Sequence, residues 1–342
     1  YDPVSASDNC SYSVSNSFNS LSTLNGARLP IGENTITWTI TDNHANTATC
    51  QIVVNVEDEQ DPYPPTCPEA TIVRNSTPGD CGYEVFGAEY DPYNIKDNHG
   101  ISKVTYSIDG GAEMGTDKTT TLGGVVVPVG VGVEVLWKIY DLSNNVLSTC
   151  TSDFTVTDIE DPSIQTVVDQ AHDVDLGSAT YTVVALDNWD AVVADNCATA
   201  LVRYRINRGS WVGTDASTSL EDEILPLGSN TIEWEATDVN GRTSTASHII
   251  TIEDNEAPSV VCNNITVELD GTGNYTLDND DIDAIGLGSS DPGGIASMSV
   301  SPDVFSCSNV GANTVTLTVI DNYGNQATCD ATVTVEDNTA PN

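Results

Sequence analysis

Four acid-rich stretches closed by proline carry the residues best placed to do chemistry: VEDEQDP (56–62), VTDIEDP (156–162), IEDNEAP (252–258) and VEDNTAP (335–341). Clustered carboxylates serve either proton transfer or the binding of a hard cation. Two carboxylates are also the minimum for glycoside hydrolysis. A catalytic pair repeated at every such mark would be unusual, so the recurrence favours binding over catalysis. No other catalytic constellation competes: His44, His99, His172 and His248 stand at unrelated places, and no G-x-S-x-G or phosphate-binding loop occurs.

The acidity extends to the whole chain. Of 342 residues, 51 are Asp or Glu and 10 are Lys or Arg, a formal charge of −41, which excludes nucleic acid as a partner because a phosphate-binding surface needs clustered cations. The same excess argues against binding anionic lipid. Such an excess repels itself unless the charge is spread along an extended array or partly neutralised by cations. A hydrophobic fraction of 39 % in alternating runs is too patterned for a disordered acidic tail. No apolar run reaches membrane-spanning length, so membrane insertion is not expected of this segment, and nothing at Tyr1 reads as a signal peptide.

The elements that must position these acids repeat with them. Asp58, Asp158, Asp254 and Asp337 are 100, 96 and 83 residues apart, and an internal period decides the architecture before anything else. Ahead of each mark lies one shared block: PIGENTITWTITDNHANTATC, PVGVGVEVLWKIYDLSNNVLSTC, PLGSNTIEWEATDVNGRTSTA and NVGANTVTLTVIDNYGNQATC. Trp38, Trp137, Trp234 and Leu317 each precede an Asp (42, 141, 238, 321) by four residues and alternate with small or β-branched neighbours, as on a half-buried strand. The Asp-led stretches that follow read as hairpin turns, and a last strand with Ile52, Val54 and Val56, or Ala331, Val333 and Val335, completes the block.

Strands of this length between turn signals predict an all-β chain of tandem immunoglobulin-like β-sandwiches in an elongated array, on the order of 100 Å or more end to end. The boundaries expected are 1–58, 59–158, 159–254 and 255–338, with 339–342 opening a further linker. YDPVSASDNC at residue 1 matches YDPYNIKDNH at 90–99, so the first repeat is expected to lack its opening strands.

In the immunoglobulin strand order the incoming linker, the loop before the third strand and the last hairpin share one pole. The second repeat would gather Glu57, Asp58, Asp61, Asp91, Asp97 and Asp141 there. The third would gather Asp158, Glu160, Asp161, Asp187, Asp190, Asp195 and Asp238, and the fourth Glu253, Asp254, Glu256, Asp291 and Asp321. Six carboxylates in one junction repel by several kcal/mol at an intermediate dielectric, about 4 kcal/mol for a close pair. Calcium, with six to eight oxygen ligands in flexible geometry, removes that penalty. A structural calcium at each junction is therefore expected. Glu336 and Asp337 would form one third of a further site.

These residues resemble the hyalin-type (HYR) repeats of secreted proteins, whose pattern is C-P near the start, C-G, D-N-C, P-x-G-x-N-T and A-T-C. The fourth repeat is similar in particular to the tandem repeats of very large Bacteroidota surface adhesins, gliding-motility adhesins among them. The resemblance implies a non-catalytic stalk at the bacterial cell surface, exported by the type IX system. Its implied partners are flanking repeats of the same polypeptide, the cell-surface motility machinery, and extracellular polysaccharide or solid surfaces.

Nine cysteines without zinc-like spacing suggest disulfides in an oxidising compartment. Cys67 and Cys81 bracket the first two strands of the second repeat and are expected to pair. By the family pattern Cys10 pairs with Cys50. Cys262 pairs with Cys307, or Cys307 with Cys329, leaving the states of Cys150, Cys197 and Cys329 open. An alternative function, a carbohydrate-binding sandwich, rests on Trp189 and Trp211 in loop or edge segments of the third repeat.

Overall fold

A computed structural model describes residues 1–340. Pro341 and Asn342, which end the fourth acid-proline mark and the expected 339–342 linker, lie outside the described residues. The chain forms two compact units, Tyr1–Ile159 and Glu160–Asn342, and is all-β with immunoglobulin-like sheets.

In the first unit, strands Tyr12–Asn16, Gly32–Asp42 and Thr47–Val56 make a three-stranded antiparallel sheet in that order. Downstream, Thr71–Asn75, Val146–Thr157, Gly130–Asp141 and Ile101–Ile108 form a four-stranded sheet. Its first strand runs parallel to the last. A small second sheet pairs Gly82–Glu84 with Val126–Pro128. Strand Gly130–Asp141 exists because its sequence alternates: Val133, Val135, Trp137 and Ile139 all point inward and are at most 5 % exposed. Each such side chain contributes roughly 1.5–3 kcal/mol by leaving water. Asp141, wholly buried at the strand's end, continues the inward face.

The second unit repeats this plan twice. Gln170–Asp173, Thr243–Glu253, Gly228–Asp238, Thr199–Ile206 and Val212–Asp215 form a five-stranded sheet. Ile265–Glu268, Gln326–Glu336, Gly311–Asp321 and Ile295–Ser301 form a four-stranded one. In both, the opening strand lies parallel to the last. Two-stranded sheets, Thr180–Thr182 with Ile224–Pro226 and Asn274–Thr276 with Val304–Ser306, face them. Separate cores surround Trp234 and Leu317, as others surround Trp38 and Trp137 in the first unit. One departure from an all-strand expectation is the short helix Asn279–Ile285. Asp278 caps it by accepting a hydrogen bond from the Asp281 N–H at 3.0 Å.

The cysteine pairing differs from the expected one. Cys67 bonds Cys150, not Cys81, and Cys262 bonds Cys329, not Cys307. The cause is topological: because the opening strand lies parallel against the last, the cysteine leading the one falls beside the cysteine on the other. Cys81 is itself disulfide-bonded. Cys10, Cys50 and Cys307 are free and exposed, so the expected Cys10–Cys50 bridge is absent. Cys10 lies before strand Tyr12–Asn16, whereas Cys50 occupies the last strand opposite Trp38.

Candidate metal centre

Each last hairpin is built around its leading Asp. Oδ1 of Asp141 accepts the backbone N–H groups of Ser143 and Asn145, both at 2.8 Å, and Oδ2 accepts Asn145 Nδ2 at 2.8 Å. Asp321 does the same with Tyr323 and Asn325, and Asp42 with His44 and Asn46. This is the backbone-mimicking turn that Asp favours, and it fixes the carboxylate whatever else is bound. The Asn also reaches outward: Asn145 Nδ2 donates to the linker carbonyls of Asp58 (2.8 Å) and Gln60 (3.1 Å), and Asn325 Nδ2 to that of Asp254 (2.8 Å). The linker acid is thus tethered by its backbone, which leaves its side chain to face the hairpin.

In the first unit Asp58 from the linker, Asp97 from the loop before Ile101–Ile108 and Asp141 from the hairpin each offer a carboxylate oxygen, and these atoms lie within 4.8 Å of one another. Oδ1 of Asp97 accepts the N–H groups of His99 (2.7 Å) and Gly100 (3.0 Å). Oδ1 of Asp58 accepts that of Gln60 (3.2 Å) and Asn98 Nδ2 (3.3 Å). The second oxygens of Asp58 and Asp97 are buried with no hydrogen-bond partner, although the Asp58 side chain is only 2 % exposed. His99 Nδ1 approaches Asp58 Oδ2 no closer than 3.8 Å and sits 3.0 Å from Ser143 Oγ.

The second unit brings together Asp254, Asp291 and Asp321 within the same 4.8 Å. Gly293 packs so closely that a Cβ there would land on Asp254 Oδ2. Burial pushes the Asp254 carboxyl above the usual carboxylate range, and the nearby charges of Asp291, Asp321 and Glu256 add to the rise. For Asp321 burial acts upward too, but hydrogen bonds from the Asn325 side chain and from the Tyr323 and Asn325 backbone outweigh it, and its carboxyl lies below the usual range.

The other expected ligands make the following contacts. Asp91 Oδ1 accepts the Leu122 N–H and Asp190 Oδ1 the Leu220 N–H, both at 2.8 Å, while Asp187 holds Tyr181 Oη and the Val184 N–H. Glu57 accepts Asn55 Nδ2, Glu256 accepts the Gly177 N–H, and Asp61 and Glu253 are exposed. Asp158 is buried with Ser76 Oγ at 3.4 Å. Asp195 Oδ1 accepts the N–H groups of Cys197 and Ala198, and Asp238 Oδ1 those of Asn240 and Arg242. The third hairpin departs from the others: Arg242 stands where they have Asn, and its guanidinium pairs with Asp161 at 2.8 Å. Glu160 lies outside any strand or helix and is half-buried at the start of this unit. What the sequence did not signal is the outward reach of Asn145 and Asn325; the D-x-x-x-N spacing marked the turn but not the linker carbonyl it would hold.

The tryptophans of the alternative reading are both engaged. Trp189 is 6 % exposed and stacks with Tyr181 and His172 in the core. Trp211, half-buried, lies over the guanidinium groups of Arg203 and Arg205 at 5.0 and 4.7 Å. Among the described residues no helix is long and apolar enough to cross a membrane.

Residues 1–56 match the HYR domain family. No curated protein matches the chain in sequence. Among solved structures, cadherin domains 1–5 of protocadherin gamma B2 are 12 % identical, with 98 % of this chain and 73 % of that one covered and a TM-score of 0.29. The Drosophila N-cadherin EC1–4 structure is 13 % identical, covering 91 % and 85 %, TM-score 0.29. The insect immune protein hemolin is 11 % identical, covering 96 % and 93 %, TM-score 0.28. Scores at this level carry no weight for what this chain binds.

Proposed function

We propose that the chain is a non-catalytic segment of a large extracellular surface adhesin, in which calcium locks a linker to the hairpin and loop of the repeat that follows at one place within each unit. One observation carries the reading: two carboxylate oxygens, Asp58 Oδ2 and Asp97 Oδ2, are buried without a hydrogen-bond partner beside the buried Asp141. An unanswered buried carboxylate is costly. Oxygen-only donors with ligand atoms within 4.8 Å of one another fit a hard cation bound at 2.3–2.6 Å per ligand, about the spacing calcium uses. Asp58, Asp97 and Asp141 would hold the ion in the first unit, and Asp254, Asp291 and Asp321 in the second. The bound ion supplies charge neutralisation, and the residues supply position.

The disulfides fit an oxidising, extracellular setting, and the HYR match over residues 1–56 supports a secreted repeat protein. On the resemblance of the fourth repeat, the segment serves surface adhesion or gliding motility at a bacterial surface, joined to flanking repeats of its own polypeptide. Calorimetric unfolding with and without chelator tests the reading. Calcium at about a hundred times its dissociation constant adds about 2.7 kcal/mol of stability. The wild type is expected to lose several degrees of Tm on chelation, and an Asp58→Asn/Asp97→Asn variant much less. An unchanged Tm for both would contradict it.

A further inference from the structure

We infer that a cleft on the second repeat binds an acidic polysaccharide, taking the carboxylate of one uronate unit between Lys96 and Lys118 and the neighbouring sugar ring against Tyr93. In a chain of charge −41 with ten Lys or Arg, all four lysines fall between residues 96 and 138. Lys103 lies over the Tyr140 ring at 4.3 Å, and Lys138 pairs with Glu113. Lys96 and Lys118 are exposed, and neither ammonium has a hydrogen-bond or ion-pair partner among the described residues. Both line one cleft of about 380 Å³, with Asp97 on its wall. A hollow of about 460 Å³ adjoins it, sharing Ile95 and Lys118 and adding Tyr93, Asp91 and Thr119. Volumes of this order are those of ligand sites.

The scaffold around the cleft does not need the lysines, because the third repeat builds the same scaffold without them. Asp91 accepts the Leu122 N–H as Asp190 accepts that of Leu220, and Asp117 holds Thr119 as Asp215 holds Ser217. Lys96, one residue before Asp97 and bridged to Tyr63, corresponds to Ala194, one residue before Asp195 and paired with Ser163. Lys118, following Asp117, corresponds to Ala216, following Asp215. Two separate loops therefore carry lysine in the second repeat and alanine in the third, and in the second they meet at one cleft. Its backbone is pinned: Tyr93 and Thr66 exchange hydrogen bonds at 3.0 and 2.8 Å, and the Tyr63 N–H donates to the Lys96 carbonyl at 3.0 Å. A site held in shape before binding loses less freedom on binding.

The polar groups of the cleft select the anion. The N–H groups of His99, Gly100, Thr119 and Leu122 are spent on Asp97, Asp117 and Asp91, which leaves no nest of free N–H groups for a phosphate. The charge of Asp97 also disfavours a dianion. A carboxylate carries one charge, which the two ammonium groups balance. The acids of the cleft need donors in turn: Asp91 binds Leu122 through Oδ1 alone, and Thr119 Oγ1, donating to Asp117 at 2.6 Å, can still accept. A uronate supplies both, a carboxylate and ring hydroxyls. Tyr93, 58 % exposed, offers a flat apolar face beside them. Two adjoining hollows suit consecutive units of a polymer better than a free sugar.

The test is titration calorimetry of the full chain with tri-galacturonate, run in chelator so that no calcium bridges the acid and the outcome is independent of the proposed metal centres. A single site per chain is expected. Replacing the probe by neutral galactotriose should weaken binding about tenfold or more, and so should the Lys96→Ala/Lys118→Ala variant, which carries the residues the third repeat already has at these places. Tyr93→Ala should weaken it several-fold, and free galacturonate should bind more weakly than the trimer. No binding of the trimer, equal binding of galactotriose, an unaffected lysine variant, or free galacturonate or tri-glutamate binding as tightly as the trimer would overturn the inference.

Discussion

The Asp58–Asp97–Asp141 and Asp254–Asp291–Asp321 clusters are built from the same three segments, yet they differ in what surrounds the linker acid. In the first, Asn98 and the Gln60 N–H hold one oxygen of Asp58, and His99 stands off at 3.8 Å from the other. In the second, Gly293 closes over Asp254, whose carboxyl is pushed up by burial and by its acidic neighbours. The hairpin Asp is the same in both, satisfied by its own turn. The contrast separates a fixed element, the hairpin Asp with its Asn tether, from the two other carboxylates, which on the proposed reading a cation completes.

The largest effect tests whether the two regions share a covalent frame of equal weight. Loops of 83 and 67 residues are closed by Cys67–Cys150 and Cys262–Cys329, and loop-closure entropy depends only logarithmically on length. Removing either bridge by paired Cys→Ser substitution is expected to cost about 4 to 5 kcal/mol, measured by denaturant unfolding. A large inequality between them would show that the frames are not equivalent.

Next come the hairpin acids. Asp141→Ala and Asp321→Ala each remove three hydrogen bonds to a buried carboxylate and should cost about 3 kcal/mol or more, with or without calcium. Asp97→Asn, by contrast, should cost little in chelator and should abolish stabilisation by calcium in the first unit. If Asp141→Ala lost stability only in the presence of calcium, the division between fixed and completing carboxylates would fail.

Gly293→Ala sharpens the contrast further. The added Cβ would meet Asp254 Oδ2, so it should cost about 1–3 kcal/mol and weaken calcium binding in the second unit, leaving the first unchanged by calorimetric titration.

The smallest effect concerns acid. At matching registers of the last strands, Ser152 donates to the Glu69 carbonyl, whereas His248 is 3 % exposed and neither ring nitrogen has a hydrogen-bond partner. Burial pushes the His248 imidazole below its ordinary value, only partly opposed by Asp169. Below the unfolded value near 6.5 the unfolded state binds more protons, so stability present above that pH is lost as pH falls through the interval toward the depressed folded value. The second unit should lose up to about 1.4 kcal/mol per pH unit there. His248→Leu should flatten that slope in chemical-denaturation curves between pH 7 and pH 5.

Much of the frame was legible in the residues. The Trp or Leu four places before each hairpin Asp located the penultimate strands, and the Asp-led turns behave as their chemistry requires. Asp58, Asp97 and Asp141 were named among six candidates for the second repeat. Asp91 could not be told apart from Asp97, because only the folded loop turns its carboxylate to the distant Leu122 N–H. The cysteine pairing was misread for a related reason. Periodicity identifies strands but not which strand lies parallel to the last, and that placement joins Cys67 to Cys150 and leaves Cys10, Cys50 and Cys307 as thiols.

The central claim is that calcium occupies these carboxylate clusters, and counting bound calcium tests it most directly. Equilibrium dialysis of the full chain against micromolar to millimolar calcium should give one fewer bound ion for Asp58→Asn/Asp97→Asn than for the wild type, and one fewer again when Asp254→Asn/Asp291→Asn is added. An unchanged count in both variants would contradict the account.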